Sequence, residues 1–481
     1  MIEKNIHINF IKLFIKLIEF EGFKYTTAEQ MASIQQSVKS KVNSFKSLNH
    51  NVKLLLIFTF TQSIGRSIWM GNVLSTIIYL LSESSPEMLG YASGATGITM
   101  TIVVFPSGYF ADKIRRDWML RIAAICGIFS IGILFFADTI ILIFVALIIW
   151  GLYQGITRPS LEAIFADSVQ SGTRSLIYSW RQLISQIGMA LGPILNIFLF
   201  LLLGDEWDLD ILKFVMGFGL IFSFGSLIMM FFFNDKKSLG SSSDSIEFNN
   251  DVDVILNLNN KSNNSSSEEN TKSNPKSNLE SKTELKTKLK FIPVKYIPYI
   301  LVGCNVIIGL GAGMTVKFFT IFFMEIYTMS PIMVQIISGL TSIATGFSGL
   351  IAQHFSKAKG RPQMIFLVQA IATICLIIIA TYPPMWVLII IFITRGSLMN
   401  AAQPLSRSIL MDFVPKNKRG KWNSLEALAW GLFWNVSAVV GGILIGPTHN
   451  FRLNFLVTAG IYIFGTLPIV LLFGNVSKEK N

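Results

Sequence analysis

The sequence predicts an all-α membrane protein with twelve transmembrane helices in two pseudo-symmetric six-helix bundles. Three observations carry that reading. Runs of roughly 20 apolar residues, each long enough to cross a bilayer, recur along the chain. The short connections between them alternate in charge. The two halves of the chain also repeat one another at a fixed offset.

Composition supports a membrane protein. Of 481 residues, 52% are hydrophobic and 14% charged, and the mean hydropathy is +0.55. That is too apolar for a soluble multidomain chain. The net charge of +12 lies in short loops between apolar runs, not on one face, so no nucleic acid is expected as a partner. Cys126, Cys304 and Cys375 are far apart inside apolar runs, and the four histidines are scattered near loops or tails. No metal site, cofactor or catalytic constellation is expected, and an enzyme is not.

Residues 1–50 form an N-terminal tail. Within it, Phe10, Leu13, Phe14 and Leu17 share one helical face, with Lys12, Lys16 and Glu19 on the other. Two readings stand: an amphipathic helix on the membrane surface, or an untied tail. The first bundle, 51–233, holds spans at about 52–81, 88–108, 119–137, 140–166, 175–203 and 210–233. The second, 295–474, holds spans at about 297–325, 331–355, 362–381, 385–411, 422–446 and 453–474. A cytoplasmic tail, 475–481, ends the chain. Between the bundles, 234–294 is rich in Ser, Asn, Lys and Glu and should be a disordered loop.

Loop charge sets the orientation. One set of connections carries Lys113–Arg121, Arg174, Lys357–Arg361 and Lys416–Lys421. The other carries Glu83, Glu87, Asp205, Glu206, Asp208, Asp210 and Glu325. Basic loops stay inside, so both termini and the central loop are expected in the cytoplasm. The sequons at Asn260, Asn263 and Asn264 should then carry no glycan. Plasma membrane and endomembranes are not distinguished.

Pro159, Asp167, Arg174 and Ser179 recur as Pro404, Asp412, Arg419 and Ser424, each 245 residues on. The same offset carries Phe110 to Phe355 and Arg116 to Arg361. It also carries Glu162 to Arg407 and Arg181 to Glu426, so this pair reverses sign as a unit. Spans 4 and 5 form a hairpin, which favours structural ion pairs Glu162–Arg181 and Arg407–Glu426. The rival reading makes Glu162 or Glu426 a proton carrier.

The connection GYFADKIRRDWMLR, Gly108 to Arg121, places Asp112 four residues after Gly108 and then Lys113, Arg115 and Arg116. This resembles the signature loop of the major facilitator superfamily, whose second glycine is replaced here by Arg115. The second copy keeps a glycine there, Gly360. The resemblance implies two parallel bundles of six helices, with helices 1, 4, 7 and 10 lining a central cavity. It also implies a gating latch between the halves. Gly108, Asp112, Lys113, Arg115, Arg116, Asp167, Arg174, Asp412 and Arg419 are its candidates. The alternative for Asp112 is a local turn cap. Gly188, Gly192 and Pro193 resemble the antiporter motif of drug exporters, although G-x-x-x-G also serves close helix packing.

Charges inside the spans point to substrate. Arg66 lies near the middle of span 1 with Gln62 on its face, and Arg395 is ten residues into span 10 above Asn400 and Gln403. Lys317 is in the outer half of span 7, and Arg158 near the end of span 4 is a gate candidate. No carboxylate shares the depth of Arg66 or Arg395. The expected function is therefore secondary transport of a small organic or phosphorylated anion, held between Arg66 and Arg395 and moved by alternating access. In the structural alternative, backbone carbonyls and Gln62 or Gln403 satisfy both arginines. A proton-coupled exporter of drug-like compounds and a non-transporting sensor are the other classes. Expected partners are a small-molecule substrate, with or without a coupling ion, and the lipid bilayer, around a monomeric chain.

Overall fold

The computed structural model describes residues 48–169, 174–239, 293–414, 422 and 429–473. The N-terminal amphipathic segment, the three sequons, Arg419, Glu426 and the C-terminal tail lie outside the described residues, as do the side chains of Asp112 and Arg174. All regular structure among the described residues is helical. Among the described residues eleven of the predicted spans are long and apolar enough to cross a membrane, and span 11 is represented by the shorter apolar helix Gly431–Ile445.

Spans begin where the sequence offers caps or prolines. The Asn49 side chain accepts from the Asn51 N–H at 2.9 Å. Asp208 accepts from Asp210 and Ile211 at 2.9 and 3.1 Å, so the acidic turn before span 6 also caps that helix. Pro86, Pro331 and Pro362 occupy first turns, where a missing N–H costs nothing.

Two predicted spans are broken. Span 1 consists of His50–Trp69 and Asn72–Leu81; span 7 consists of Ile297–Val316 and Phe319–Tyr327. Their hydropathy is continuous across each break, so the apolar pattern does not mark it. The break in span 1 turns Asn72 towards the second half, where its amide donates to Ser338 Oγ at 2.9 Å and accepts from Thr320 Oγ1 at 2.8 Å.

Among the described residues the two halves share their core and their hydrogen bonds towards one end. The acidic end carries Glu83, Asp205 and Glu325, and the basic end carries the signature loop. One apolar core runs from the first bundle into the acidic-end part of the second, through Phe319, Phe322, Val334 and Ala438. At the basic end the second bundle keeps a separate core, around Ile297, Ala352, Ile365 and Ile409. Glycines make the shared seam close. A Cβ at Gly90 on span 2 would lie 2.6 Å from the Ala438 carbonyl oxygen of span 11. Gly94 and Gly97 continue this stripe at helical spacing, against Val439 and Asn435. Cross-half hydrogen bonds cluster at the same end. Trp207 Nε1 donates to Met329 O at 2.7 Å, Tyr79 Oη to Glu325 at 3.0 Å, and the Ile332 N–H to Asp205 at 2.8 Å.

The central loop does not start at Asn234 as expected. Residues 234–239 are docked on the first bundle: Asn51 Nδ2 donates to Asn234 O at 2.9 Å, and the Leu239 N–H to Asp167 O at 2.8 Å. Asp235 accepts from the Arg116 N–H at 3.3 Å at the start of span 3. These six residues have partners that composition alone hides, and the rest of the loop lies outside the described residues.

The two signature loops differ in backbone. Gly360 has φ +108°, a region that L side chains rarely adopt, whereas Arg115 has φ −54°. The first copy could therefore lose its glycine. Arg115 instead grips Asp117, which is fully buried, at 3.1 and 2.6 Å. Gly360→Ala is expected to cost about 1–3 kcal/mol of stability. Restoring the family glycine with Arg115→Gly should also destabilise, because it strips a partner from a buried carboxylate. Unfolding midpoints in detergent check both, and an Arg115→Gly protein as stable as wild type would sink the second.

Candidate substrate site

The break in span 1 leaves Arg66 in the last turn of its first helix, where the negative end of the helix dipole favours a cation. Lys317 caps the equivalent helix of span 7 and sits in the same relation to its dipole. The sequence therefore places a cation at each mid-membrane helix end.

Arg66 is exposed in the middle of its span, and its guanidinium makes no hydrogen bond or ion pair among the described residues. An unpaired guanidinium in lipid is costly, so this exposure belongs to a water-filled cavity. Arg158 on span 4 is likewise exposed, and its guanidinium makes no hydrogen bond or ion pair among the described residues. Its Nη1 would lie 3.5 Å from a Cβ added at Gly431, so it reaches span 11 of the other half. There, residues 429–433 form a π-helical turn, a feature common at functional sites.

The other expected site residues are distributed differently. Gln62 is buried inside the first bundle, donating to Tyr153 Oη at 3.2 Å and accepting from Ser226. Lys317 donates to Asn435 Oδ1 at 2.8 Å, and Asn435 in turn donates to Gly431 O at 2.6 Å. Asn400 and Gln403 are exposed on span 10, with the Asn400 amide turned onto its own helix at Gly396 O, 2.8 Å away.

Arg395 does not face Arg66 across the cavity. It is 4% exposed, its Nη2 donates to Tyr462 Oη at 3.1 Å, and it stacks on Phe319 at 4.8 Å. All of these partners belong to its own bundle. The reason is register. The exposed stripe of span 10 holds Gln403 and Asn400 and passes Gly396, half-buried against Thr341, at spacings of three and four. Arg395 is one residue, about 100°, off that stripe. Aromatic rings now fill the role expected of a substrate.

Arg181 Nη1 lies 2.6 Å from Glu162 Oε1 and over the Phe165 ring at 5.5 Å. Arg407 also has a partner, while Glu426 is outside the described residues. Reversing either charge in Glu162–Arg181 should reduce the level of folded protein. The double reversal should restore part of it, the loss of the Phe165 stack limiting the rescue. Fluorescence size-exclusion profiles check this, and a double variant no better than the singles removes the pairing.

Basic-end residues pair within their halves. Arg116 binds Asp167, and Arg361 binds Asp412 at 2.6 Å and Ser408 Oγ at 2.6 Å. These two pairs obey the 245-residue offset. Lys113 turns onto the Tyr109 ring at 4.3 Å, and Gly108 has open space around it. Among the described residues none of these contacts crosses between bundles, and the latch candidates Asp112, Arg174 and Arg419 lie outside the described side chains. Asp117 and Asp235, two of the acids that complete the basic-end networks, carry no mark in the sequence. Neither recurs in the second half, so the repeat passes over them.

The sequence pattern of the Major Facilitator Superfamily matches residues 55–293 and 301–481. The chain belongs to that superfamily. It is a multi-pass membrane protein of a transporter family, not of an enzyme family. An uncharacterized MFS-type transporter, YqjV of Bacillus subtilis (strain 168), is 26% identical over 123 residues, 26% of this chain. The matching segment spans 29% of that relative's length. The nucleoside transporter NupG shares the fold with a TM-score of 0.60 at 12% identity, covering 88% of this chain and 99% of NupG. A bacterial homologue of the iron transporter ferroportin matches in two states. Its inward-facing form gives a TM-score of 0.61 at 13% identity, covering 87% of this chain and 98% of its own. Its outward-facing form gives 0.54 at 14%, covering 88% and 98%.

Proposed function

We propose that this superfamily member is a secondary transporter that moves a small organic or phosphorylated anion by alternating access. Its anchor is Arg66, seconded by Arg158. The observation that carries the reading is Arg66 itself: a cation midway along its span, exposed, whose guanidinium makes no hydrogen bond or ion pair among the described residues. A missing counter-charge at such a place is best supplied from outside. Arginine's planar fork suits a carboxylate or phosphate, which it grips through two parallel hydrogen bonds. Glu162, one helical turn from Arg158 on span 4, is already taken by Arg181. That argues against a cation exporter.

Loop charge supports both termini in the cytoplasm. The acidic end, where the halves are joined, is then external, and the basic end, where the described residues make no bond between halves, is cytoplasmic. This conformation corresponds to an inward-facing state, which the closer likeness to the inward-facing ferroportin homologue also supports. Glycan on Asn260, Asn263 or Asn264 in cell-made protein would reverse this topology. Purified protein in a thermal-shift screen of carboxylates and phosphate esters, followed by counterflow in liposomes, tests the function. Stabilisation by anions and their exchange is expected. Selective stabilisation by cations sinks the anion assignment, and absence of any flux favours a non-transporting sensor.

A further inference from the structure

Each broken span releases a backbone carbonyl from its usual partner. In an unbroken helix the Ile68 carbonyl would accept from the Asn72 N–H, and the Met314 carbonyl from the Phe318 N–H. Asn72 instead opens the second piece of span 1, and the Phe318 N–H bonds the Thr315 carbonyl at 3.1 Å. A buried asparagine fills each place. Asn196 Nδ2 on span 5 donates to Ile68 O at 3.1 Å, and Asn454 Nδ2 on span 12 donates to Met314 O at 2.9 Å. The 245-residue offset does not relate these two asparagines. It carries Asn196 to Gly441, where an added Cβ would run into the same Met314 carbonyl oxygen. Span 11 passes too close there for a side chain, so the donor comes from span 12. The halves thus reach one arrangement with different residues. Each asparagine also keeps its Oδ1 buried without a partner among the described residues, which costs stability. The amide donor is what each position needs.

We propose that Asn196 and Asn454 are positioning residues that hold the breaks in spans 1 and 7 open. Without the amide, the nearest donor for each buried carbonyl is the backbone N–H four residues on, and taking it straightens the span. The breaks keep Arg66 in a last turn and Lys317 at a helix end, midway along their spans. In span 1 the break also keeps Asn72 on Ser338 and Thr320 of the other half. The consequence for anion binding rests on the reading of Arg66 above; the hold on the breaks does not.

The test is amide hydrogen exchange on full-length protein in detergent, comparing wild type with Asn196→Leu and Asn454→Leu. Leucine removes the donor and the unpartnered oxygen together. In Asn196→Leu, exchange at the Asn72 N–H should slow roughly fivefold or more, the scale of one net backbone hydrogen bond, while Phe318 is unchanged. In Asn454→Leu the slowing should appear at Phe318 alone. A plain strut predicts the reverse, faster exchange around the lost contact. Asn196→Ser and Asn454→Ser, which keep a donor on a shorter arm, should return part of the wild-type exchange. Inorganic phosphate and succinate, titrated by thermal shift, give the second readout. Asn196→Leu should weaken the better-bound probe about tenfold, as losing one charge-assisted hydrogen bond does. Asn454→Leu should weaken it less, because Asn435 also holds Lys317. Unchanged or faster exchange at the breaks overturns the proposal, as does loss of folded protein in both the leucine and the serine variants. Slowed exchange with unaltered binding upholds the hold on the breaks and removes Arg66 as the anchor. Slowed exchange in a protein whose wild type binds neither probe upholds it too, and counts against the anion reading alone.

Discussion

Arg66→Lys is expected to leave a folded, membrane-inserted protein that transports about one to two orders of magnitude more slowly. The variant keeps the charge at the helix end and so keeps the favourable dipole interaction. It loses the planar fork, and with it one of two parallel hydrogen bonds to the anion, a loss on the order of 1.5–3 kcal/mol. Because the Arg66 guanidinium makes no hydrogen bond or ion pair among the described residues, no structural bond is broken and the unfolding midpoint should hardly move. Arg395→Lys provides the contrast. Its guanidinium is stacked on Phe319 and bonded to Tyr462 in a closed pocket. There the change should cost about 2 kcal/mol of stability, as for a desolvated cation–π contact. Transport per folded molecule should survive. Counterflow rates normalised to folded protein, measured beside thermal unfolding, check both. If Arg395→Lys abolishes flux without a change in stability, the two arginines exchange roles. If Arg66→Lys transports as wild type, the anchor is elsewhere.

That contrast also marks how far the sequence can be read. The span order, the two bundles and the proximity of Glu162 to Arg181 all follow from charge and offset, because such signals survive in one dimension. Arg395 escapes such a reading because depth along a helix is legible from residue count, whereas facing depends on one residue of register. Its true partners, Phe319 and Tyr462, look in the sequence like any apolar-run aromatic. The break in span 1 is hidden for a related reason. Asn72 is one polar residue in an apolar stretch, and only its two bonds to Ser338 and Thr320 show that it serves the other half. The repeat singles out Arg116 and Asp167, yet it gives no sign of whether a pair closes within a bundle or between two. That depends on which end of the molecule is open.

The open and closed ends yield the second large expectation: Gly90→Leu and Gly108→Leu should bias the protein in opposite directions. The two glycines lie eighteen residues apart on span 2, five helical turns, so they share a face about 27 Å apart along the axis. At Gly90 a Cβ would meet the Ala438 carbonyl oxygen at 2.6 Å and Val439 Cα at 3.1 Å, backbone atoms that cannot rotate away. A leucine there should cost about 1–3 kcal/mol in the state described, as overpacking does. It should cost less once the acidic end opens. At Gly108 a Cβ meets nothing, so the same leucine leaves this state untouched. Its penalty falls on the alternative state, in which the basic end closes over it. Each 1.4 kcal/mol changes the ratio of states tenfold, so the two variants should differ by roughly ten- to a hundredfold or more in that ratio. Spin-label distances across the two ends report it directly. Gly90→Leu should populate the acidic-end-open form and Gly108→Leu should deplete it, and both should slow net transport, because a full cycle visits each state. If both variants shift the distances in the same direction, span 2 does not carry the seam on one face, and the pairing of Gly90 with span 11 has no bearing on which end opens.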